Sequence, residues 1–296
     1  MRRILTAAVL IPAIISLVLW GPPYLLTAVG LLITEAALWE FFRLAEGAGF
    51  NVLRVPGYIF GGAIALQSFF SPVGPLKRFL SPWEALLILP IALFVWAMLS
   101  YRNLSDFLGS VSATLLGLAY VSVPLSVLVY LILLGRSTAR LVLFGLVVIW
   151  AGDSMGFFVG RYWGRHKIAP GISPGKSWEG TAASFAAAII VGLFFILFTF
   201  GVVDSQLEEH RYYSWIGFSW SEPEGLGRGL LELAVLAAVI NIAGQLGDLA
   251  ESALKRNAGV KDSSNLVPGH GGVLDRIDAL LFAAPVLWYY WIWRLS

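Results

Sequence analysis

The amino-acid sequence predicts an all-α, polytopic integral membrane helix bundle with about nine transmembrane helices and a cytoplasmic N-terminus. Three observations carry this expectation. Of 296 residues, 58% are apolar and 13% charged, against roughly 45–50% apolar and about 25% charged in soluble domains. Mean hydropathy is +0.79. Apolar stretches close to the ~20 residues a helix needs to cross a bilayer recur along the whole chain. A disordered protein and a soluble enzyme with one anchor are thereby excluded. The net charge of +2, from 20 basic and 18 acidic residues, leaves no basic excess for a nucleic-acid backbone. The chain has no cysteine, which excludes disulfides, Cys-ligated zinc and thiol catalysis.

The stretches lie near residues 4–20, 22–42, 56–70, 83–100, 107–134, 139–160, 179–201, 228–254 and 274–294. The first follows Met1-Arg2-Arg3, like a signal-peptide start, but Leu19-Trp20-Gly21-Pro22-Pro23 offers no small-x-small cleavage site, so a retained helix is expected. The second carries Glu35 and Glu40 near its end, where pairing with Arg43 is expected. The fifth is long, and Pro124 threatens to divide it. Charge asymmetry favours one span there. With nine spans and the N-terminus inside, twelve Lys and Arg fall on the inner side and seven on the outer, as the positive-inside rule requires. Dividing the stretch sets the N-terminal and C-terminal loops in conflict. The acidic 202–227 segment then lies outside. Residues 1–140 read as a hydrophobic N-terminal transmembrane scaffold. Residues 141–296 read as a C-terminal catalytic transmembrane region with two cytoplasmic phosphate-binding loops.

Charged residues within the later spans point to a site, because each costs about 2.5–3.5 kcal/mol or more in the membrane unless partnered or wetted. Glu232, near the outer interface, reads as structural. In the eighth stretch Asn241, Gly244, Asp248, Glu251, Ser252 and Lys255 share an arc of roughly 100° at helical spacing. Hydrogen bonding between helices explains Asn241 and Ser252, but not two carboxylates with a lysine. The ninth stretch opens with Asp275, Arg276 and Asp278. The two acids are i, i+3 neighbours on one face. Facing Asp248, they repel unless a cation intervenes. Hard oxygen ligands suit Mg²⁺, so a divalent-metal site is inferred, and Asp153 in the sixth stretch is a further acid.

Two basic, Gly-rich segments flank these acids. One runs from Lys255 to Gly272 and holds Arg256, Lys261, Asp262, His270 and Gly271. The other follows Asp153 and includes Lys167, Ser173 and Lys176. Backbone amides of such segments and a following helix N-terminus attract anions. The stretch Gly171–Ser177 has one residue too few between its glycines for a Walker A loop and follows no strand, so a P-loop nucleotidase is excluded.

The run SALKRNAGVKDSSNLVPGHGGVLDRID, Ser252 to Asp278, closely resembles the motif of phosphatidate cytidylyltransferases, the CDP-diacylglycerol synthases. Every charged position agrees; Ser264 stands where glycine is common, and Val267 where Leu, Ile or Phe is usual. Asp153–Gly156, SPGKSWEG (173–180) and GDLAES (247–252) also look like this family. In detail the resemblance covers about 100 residues of the second half.

The resemblance implies Mg²⁺-dependent conversion of CTP and phosphatidic acid to CDP-diacylglycerol and pyrophosphate, by in-line attack of the lipid phosphate on the CTP α-phosphorus. It implies catalytic roles for Asp248, Lys255, Asp275 and Asp278. Asp248, Asp275 and Asp278 come first as metal ligands, then Asp153 and Glu251. Lys167, Lys176, Lys255, Arg256, Lys261 and Arg276 are assigned to phosphates, and Ser173, His270, Gly271 and Gly272 to substrate. A second cation and a homodimer are left open. The expected setting is the cell (inner) membrane, with the site on its cytoplasmic side and open sideways to lipid. A CTP-dependent lipid kinase and an ion-coupled transporter are the rival functions.

Overall fold

The computed structural model describes residues 2–70, 82–100, 104–204, 223–267 and 271–295. Each of the nine apolar stretches lies on helix. In chain order the helices are α1 (Arg2–Trp20), α2 (Pro23–Gly47), α3 (Arg54–Phe70), α4 (Pro82–Ser100), α5 (Phe107–Gly117), α6 (Val123–Leu134), α7 (Arg136–Trp163), α8 (Trp178–Asp204), α9 (Pro223–Asn257) and α10 (Leu274–Leu295). Between α7 and α8, β1 (Lys167–Ala169) and β2 (Ser173–Ser177) pair antiparallel. His270 and most of the acidic 202–227 segment lie outside the described residues.

Five described helical spans are long and apolar enough to cross a membrane: Pro23–Gly47, Phe107–Leu134, Arg136–Trp163, Trp178–Phe195 and Gly229–Asn257. Helices with such surfaces satisfy their backbone groups internally, which hydrocarbon demands. The chain is an integral membrane helix bundle. Pro124 does not divide the fifth stretch. Helices α5 and α6 run on through a π-helical turn, Leu118–Ser122, whose flanking residues keep right-handed helical angles. A proline lacks an N–H and crowds the carbonyl four residues before it. The wider turn just ahead of Pro124 takes up that mismatch, so the helix continues through it.

The core gathers on one face of each rod. Phe41 and Phe42 of α2, Leu131 of α6, Phe144 of α7, Ile240 of α9 and Leu287 of α10 are buried together. Leu32, Leu99, Ile190 and Leu231 point outward, as a bilayer-facing surface allows. Helices α7 and α8 approach through small residues. Gly156 and Gly160 face Gly180, where a Cβ added to Gly180 would sit 2.8 Å from the Gly156 carbonyl oxygen. Small residues let backbones meet closely inside a membrane, where hydrophobicity alone drives no association. At the far end of α9 and α10, Glu232 accepts the Arg294 guanidinium at 3.1 Å and the Tyr290 hydroxyl at 3.2 Å. It is structural, as expected.

Candidate functional site

The polar stripe of α9, the first turn of α10, the last turns of α7 and the β-hairpin converge at one end of the bundle. They enclose a cavity of about 730 Å³. Helical spacing puts Gln245, Asp248, Glu251 and Lys255 of α9 on this wall. Asp275, Arg276 and Asp278 enter from α10, and Asp153 and Arg161 from α7. The hairpin supplies Lys167, Ser173 and Lys176. Most of the residues singled out in the sequence are thus brought together.

The lysines hold carboxylates. Lys176 Nζ lies 2.8 Å from Asp248 Oδ2 and donates to the Gln245 carbonyl at 3.1 Å. This tie fastens the hairpin to α9 across 72 residues of sequence. Lys255 Nζ lies between the Glu251 carboxylate, one turn earlier on the same helix, and Asp275 Oδ1 at 2.5 Å. Glu251 is fully buried. Removing one partner from such a cluster leaves an uncompensated buried charge, at a cost of about 3–5 kcal/mol. Lys255→Met is therefore expected to lower the thermal unfolding midpoint of the detergent-solubilised protein sharply. An unchanged midpoint contradicts the pairing.

Asp275 is further surrounded. Its Oδ2 accepts the Gly272 N–H at 2.7 Å, the Ser263 hydroxyl at 2.7 Å and the Ser263 N–H at 3.0 Å. Gly271 adopts φ +82°, and a Cβ there would meet Asp275 Oδ2 at 2.8 Å. The Gly271-Gly272 pair thus has a local cause: a left-handed turn pressed against a carboxylate. Asp278, nearly buried, meets the backbone N–H of Ala279, and neither it nor Asp153, exposed to the cavity, forms a salt bridge among the described residues. No group of three His, Asp or Glu among the described residues stands ready to hold a metal ion. Mg²⁺ usually takes one or two carboxylates, with the remaining positions filled by water and substrate phosphate. Two carboxylates beside Asp248 that no cation neutralises among the described residues fit that donor set.

Arg256 and Lys261 do not line this cavity. Arg256 donates to the Ile172 and Val260 carbonyls, each at 3.3 Å, and so braces the hairpin against the end of α9. Lys261 lines a separate cavity behind the Lys261–Leu266 segment. Arg161, Thr181, Ser184 and Gln245 line the site without having been singled out. Gln245 lies one turn past Asn241 and was within reach of the helical-wheel argument. Asn241 and Gln245 interlock at 2.6 Å, and Asn241 donates to Ser184 on α8 at 2.9 Å.

Glu40 is the largest departure from expectation. It does not pair with Arg43, whose guanidinium stacks over Trp39 at 4.7 Å. Glu40 is fully buried and accepts four donors from the far end of the chain. These are the Ser264 hydroxyl at 2.5 Å, the Ser263 hydroxyl at 3.1 Å, and the Val273 and Leu274 amides at 2.9 and 2.6 Å. The amides are the orphan donors at the N-terminus of α10, where a carboxylate is favoured. Glu40 therefore caps a helix more than 230 residues away and positions the segment that carries Asp275. Its only sequence signal was a carboxylate placed inside an apolar stretch.

Residues 1–293 match the profile of the cytidylyltransferase family. The chain is 31% identical over 299 residues to phosphatidate cytidylyltransferase of Bacillus subtilis, covering 97% of this chain and 96% of that protein. It is 30% identical over 278 residues to the enzyme of the same name from Staphylococcus saprophyticus, covering 93% and 95%. A match to that of Haemophilus influenzae is 40% identical over 155 residues but spans 52% of this chain and 46% of that protein.

Proposed function

The chain belongs to the cytidylyltransferase family and is a membrane-embedded nucleotidyltransferase; from that premise we propose that it transfers the CMP moiety of CTP to phosphatidate. The products are CDP-diacylglycerol and pyrophosphate, in phospholipid biosynthesis. An oxygen of the lipid phosphate attacks the α-phosphorus, the α–β phosphoanhydride bond breaks, and pyrophosphate leaves with that electron pair. The lipid phosphate is already ionised, so no general base is required. The observation that carries this is a single cavity joining membrane-embedded carboxylates to cations from the hairpin and from α7 and α10.

Both reactants are anions, so bringing them together is the main electrostatic obstacle. Arg161, Lys167 and Arg276 line the cavity and are suited to the triphosphate, whose charge shifts towards the leaving pyrophosphate. Lys176 orients Asp248, and Lys255 holds Asp275 against the 263–272 segment. One or two of Asp153, Asp248 and Asp278, together with substrate phosphate, would hold Mg²⁺, which would polarise the phosphate oxygens. Asp275, with its donors already in place, serves as the rigid support of that set. The setting proposed is the inner membrane with the cavity on the cytoplasmic side, where CTP is found.

The test is incubation of membranes containing the protein with phosphatidic acid and CTP labelled at the α-phosphorus, with and without Mg²⁺. Label is expected in lipid only when both phosphatidic acid and Mg²⁺ are present. Transfer of γ-label instead identifies a lipid kinase and overturns the reading.

A further inference from the structure

The catalytic cavity is lined unevenly. Its cations come from the hairpin, the last turn of α7, the end of α9 and the first turn of α10. Between α7, α8 and α9 lies an uncharged corner made by Gly152, Gly156, Phe157, Thr181, Ser184 and Gln245. Along α7 these residues precede Arg161 by one turn or more, so the corner lies deeper in the bundle than the cations at the hairpin end. Close packing fixes its floor. A Cβ added to Gly152 would meet Ser184 Oγ at 2.9 Å, and one added to Gly156 would meet Ser184 Cβ at 3.2 Å.

Thr181 departs from the habit of this chain. Thr27, Thr34, Thr114 and Thr138 each donate to a carbonyl three or four residues earlier, at 2.8–2.9 Å. Thr181 makes no such bond and has no hydrogen-bond partner among the described residues. The amides beside it are engaged with one another: Gln245 Nε2 donates to Asn241 Oδ1 at 2.6 Å, and Asn241 Nδ2 to Ser184 Oγ at 2.9 Å. Thr181 is thus the hydroxyl this corner offers to a ligand, and away from bulk water an acceptor on that ligand removes the cost of leaving it unpaired. Phe157, on the same lining, is 60% exposed although it belongs to a membrane-spanning helix. Its ring lies under the Arg161 guanidinium at 5.9 Å and opens the corner to hydrocarbon.

In an in-line displacement the attacking oxygen arrives opposite the leaving group. Arg161, Lys167 and Arg276 draw pyrophosphate towards the hairpin end, so the lipid phosphate reaches the α-phosphorus from the inner side of the same cavity. Directly behind that phosphate the lipid carries an uncharged glycerol, two ester carbonyls and two alkyl chains. Of the two substrates, only the lipid keeps contact with hydrocarbon. We propose that Thr181 donates a hydrogen bond to an ester carbonyl of phosphatidate and that Phe157 packs against its first acyl carbons, so that this corner selects a diester lipid and orients its phosphate for attack. The assignment rests on the proposed transfer reaction, but binding is read independently of turnover.

The experiment uses the full-length protein in mixed micelles and compares phosphatidate with its dialkyl ether analogue of equal chain length, which lacks the ester carbonyls. In the unaltered protein KM is expected to be roughly fivefold lower for the diester, which corresponds to about 1 kcal/mol. Thr181→Val, of the same shape, should raise the diester KM to that of the diether and leave the diether KM and the KM for CTP in place. Thr181→Ser should keep the preference. Phe157→Ala should raise KM for both lipids, since an apolar contact does not distinguish them. In parallel, native mass spectrometry without CTP follows retention of the two lipids, with the diester expected to be retained preferentially. Equal KM and equal retention of the two lipids by the unaltered protein overturn the proposal without any variant. So does an equal rise for both lipids in Thr181→Val, or a rise in KM for CTP alone, which gives the corner to the nucleoside. An unchanged KM for both lipids in Phe157→Ala removes the acyl contact. If no label enters lipid even with the unaltered protein, the transfer reaction fails, while the retention measurement still decides whether the corner reads an ester.

Discussion

Asp278→Asn is expected to lower Mg²⁺-dependent CMP transfer by roughly 10²–10³-fold, the usual cost of removing one electrostatic element from a preorganised site. The protein should remain folded. Asn has nearly the same shape and keeps an oxygen that can accept the Ala279 N–H, and Asp278 has no salt bridge among the described residues to lose. Its backbone packs under Gly247 of α9, where a Cβ would collide with the Asp278 carbonyl, and that contact survives the substitution. Asp278 faces the charges of Asp248 and Asp153. Removing one of three neighbouring negative charges relieves repulsion in the metal-free protein. The thermal midpoint without Mg²⁺ should therefore hold or rise while activity falls. The stabilisation that added Mg²⁺ confers on the unaltered protein should shrink, since a ligand bound only by the folded state stabilises it. The labelled-CTP assay and melting curves with and without Mg²⁺ check both halves. Full activity removes Asp278 from the site.

Glu40→Ala is expected to cost both stability and activity. Four donors lose their acceptor: two hydroxyls and the first two amides before and within α10. Each buried donor left unpaired costs about 1–3 kcal/mol. The hydroxyls of Ser263 and Ser264 can turn elsewhere, but the Val273 and Leu274 amides cannot. Gly272 is pressed against Glu40 so closely that no side chain fits between them, so the replaced carboxylate leaves a void at the base of the turn. Freed Ser263 no longer holds Asp275 from a fixed position. Glu40→Gln separates the two effects. It keeps the volume and one acceptor oxygen but turns an amide towards donors. It should fold, with a lowered midpoint and clearly reduced transfer. Unfolding in chaotrope together with the labelled-CTP assay measures both. Wild-type activity in Glu40→Gln contradicts the positioning role.

The second half of the chain announced its chemistry because its interactions are local. Asp248, Glu251 and Lys255 are related by helical spacing alone, and Asp275 and Asp278 by one further turn on the next helix. A charge inside an apolar run is costly enough that its mere presence signals a partner or a site. The same logic applied to Glu40 and Arg43 chose the nearest opposite charge, and the structure chose otherwise. Three residues of spacing permit that pair, but the helix presents Glu40 to the core and Arg43 to the surface. The hairpin was equally hidden. A three-residue and a five-residue strand, joined through Pro170 and Gly171 and with Pro174 and Gly175 inside the second, carry turn signals and no alternation. The Lys176–Asp248 tie that docks the hairpin lies far beyond any local pattern.

Composition and periodicity by themselves determined that this is a membrane helix bundle, where its helices lie, and which charged residues must be accommodated inside it. Those properties follow from what each short segment can bury. Tertiary structure alone decided that Lys176 and Lys255 hold carboxylates, that Asp275 is saturated by donors while Asp153 and Asp278 stand open to the cavity, and that Glu40 caps the last helix. A carboxylate accepts whichever donors the packing delivers, and packing is set by helix faces and close approaches between segments up to 234 residues apart. Local sequence sets how many charges need partners; the assembled bundle sets which partners they meet.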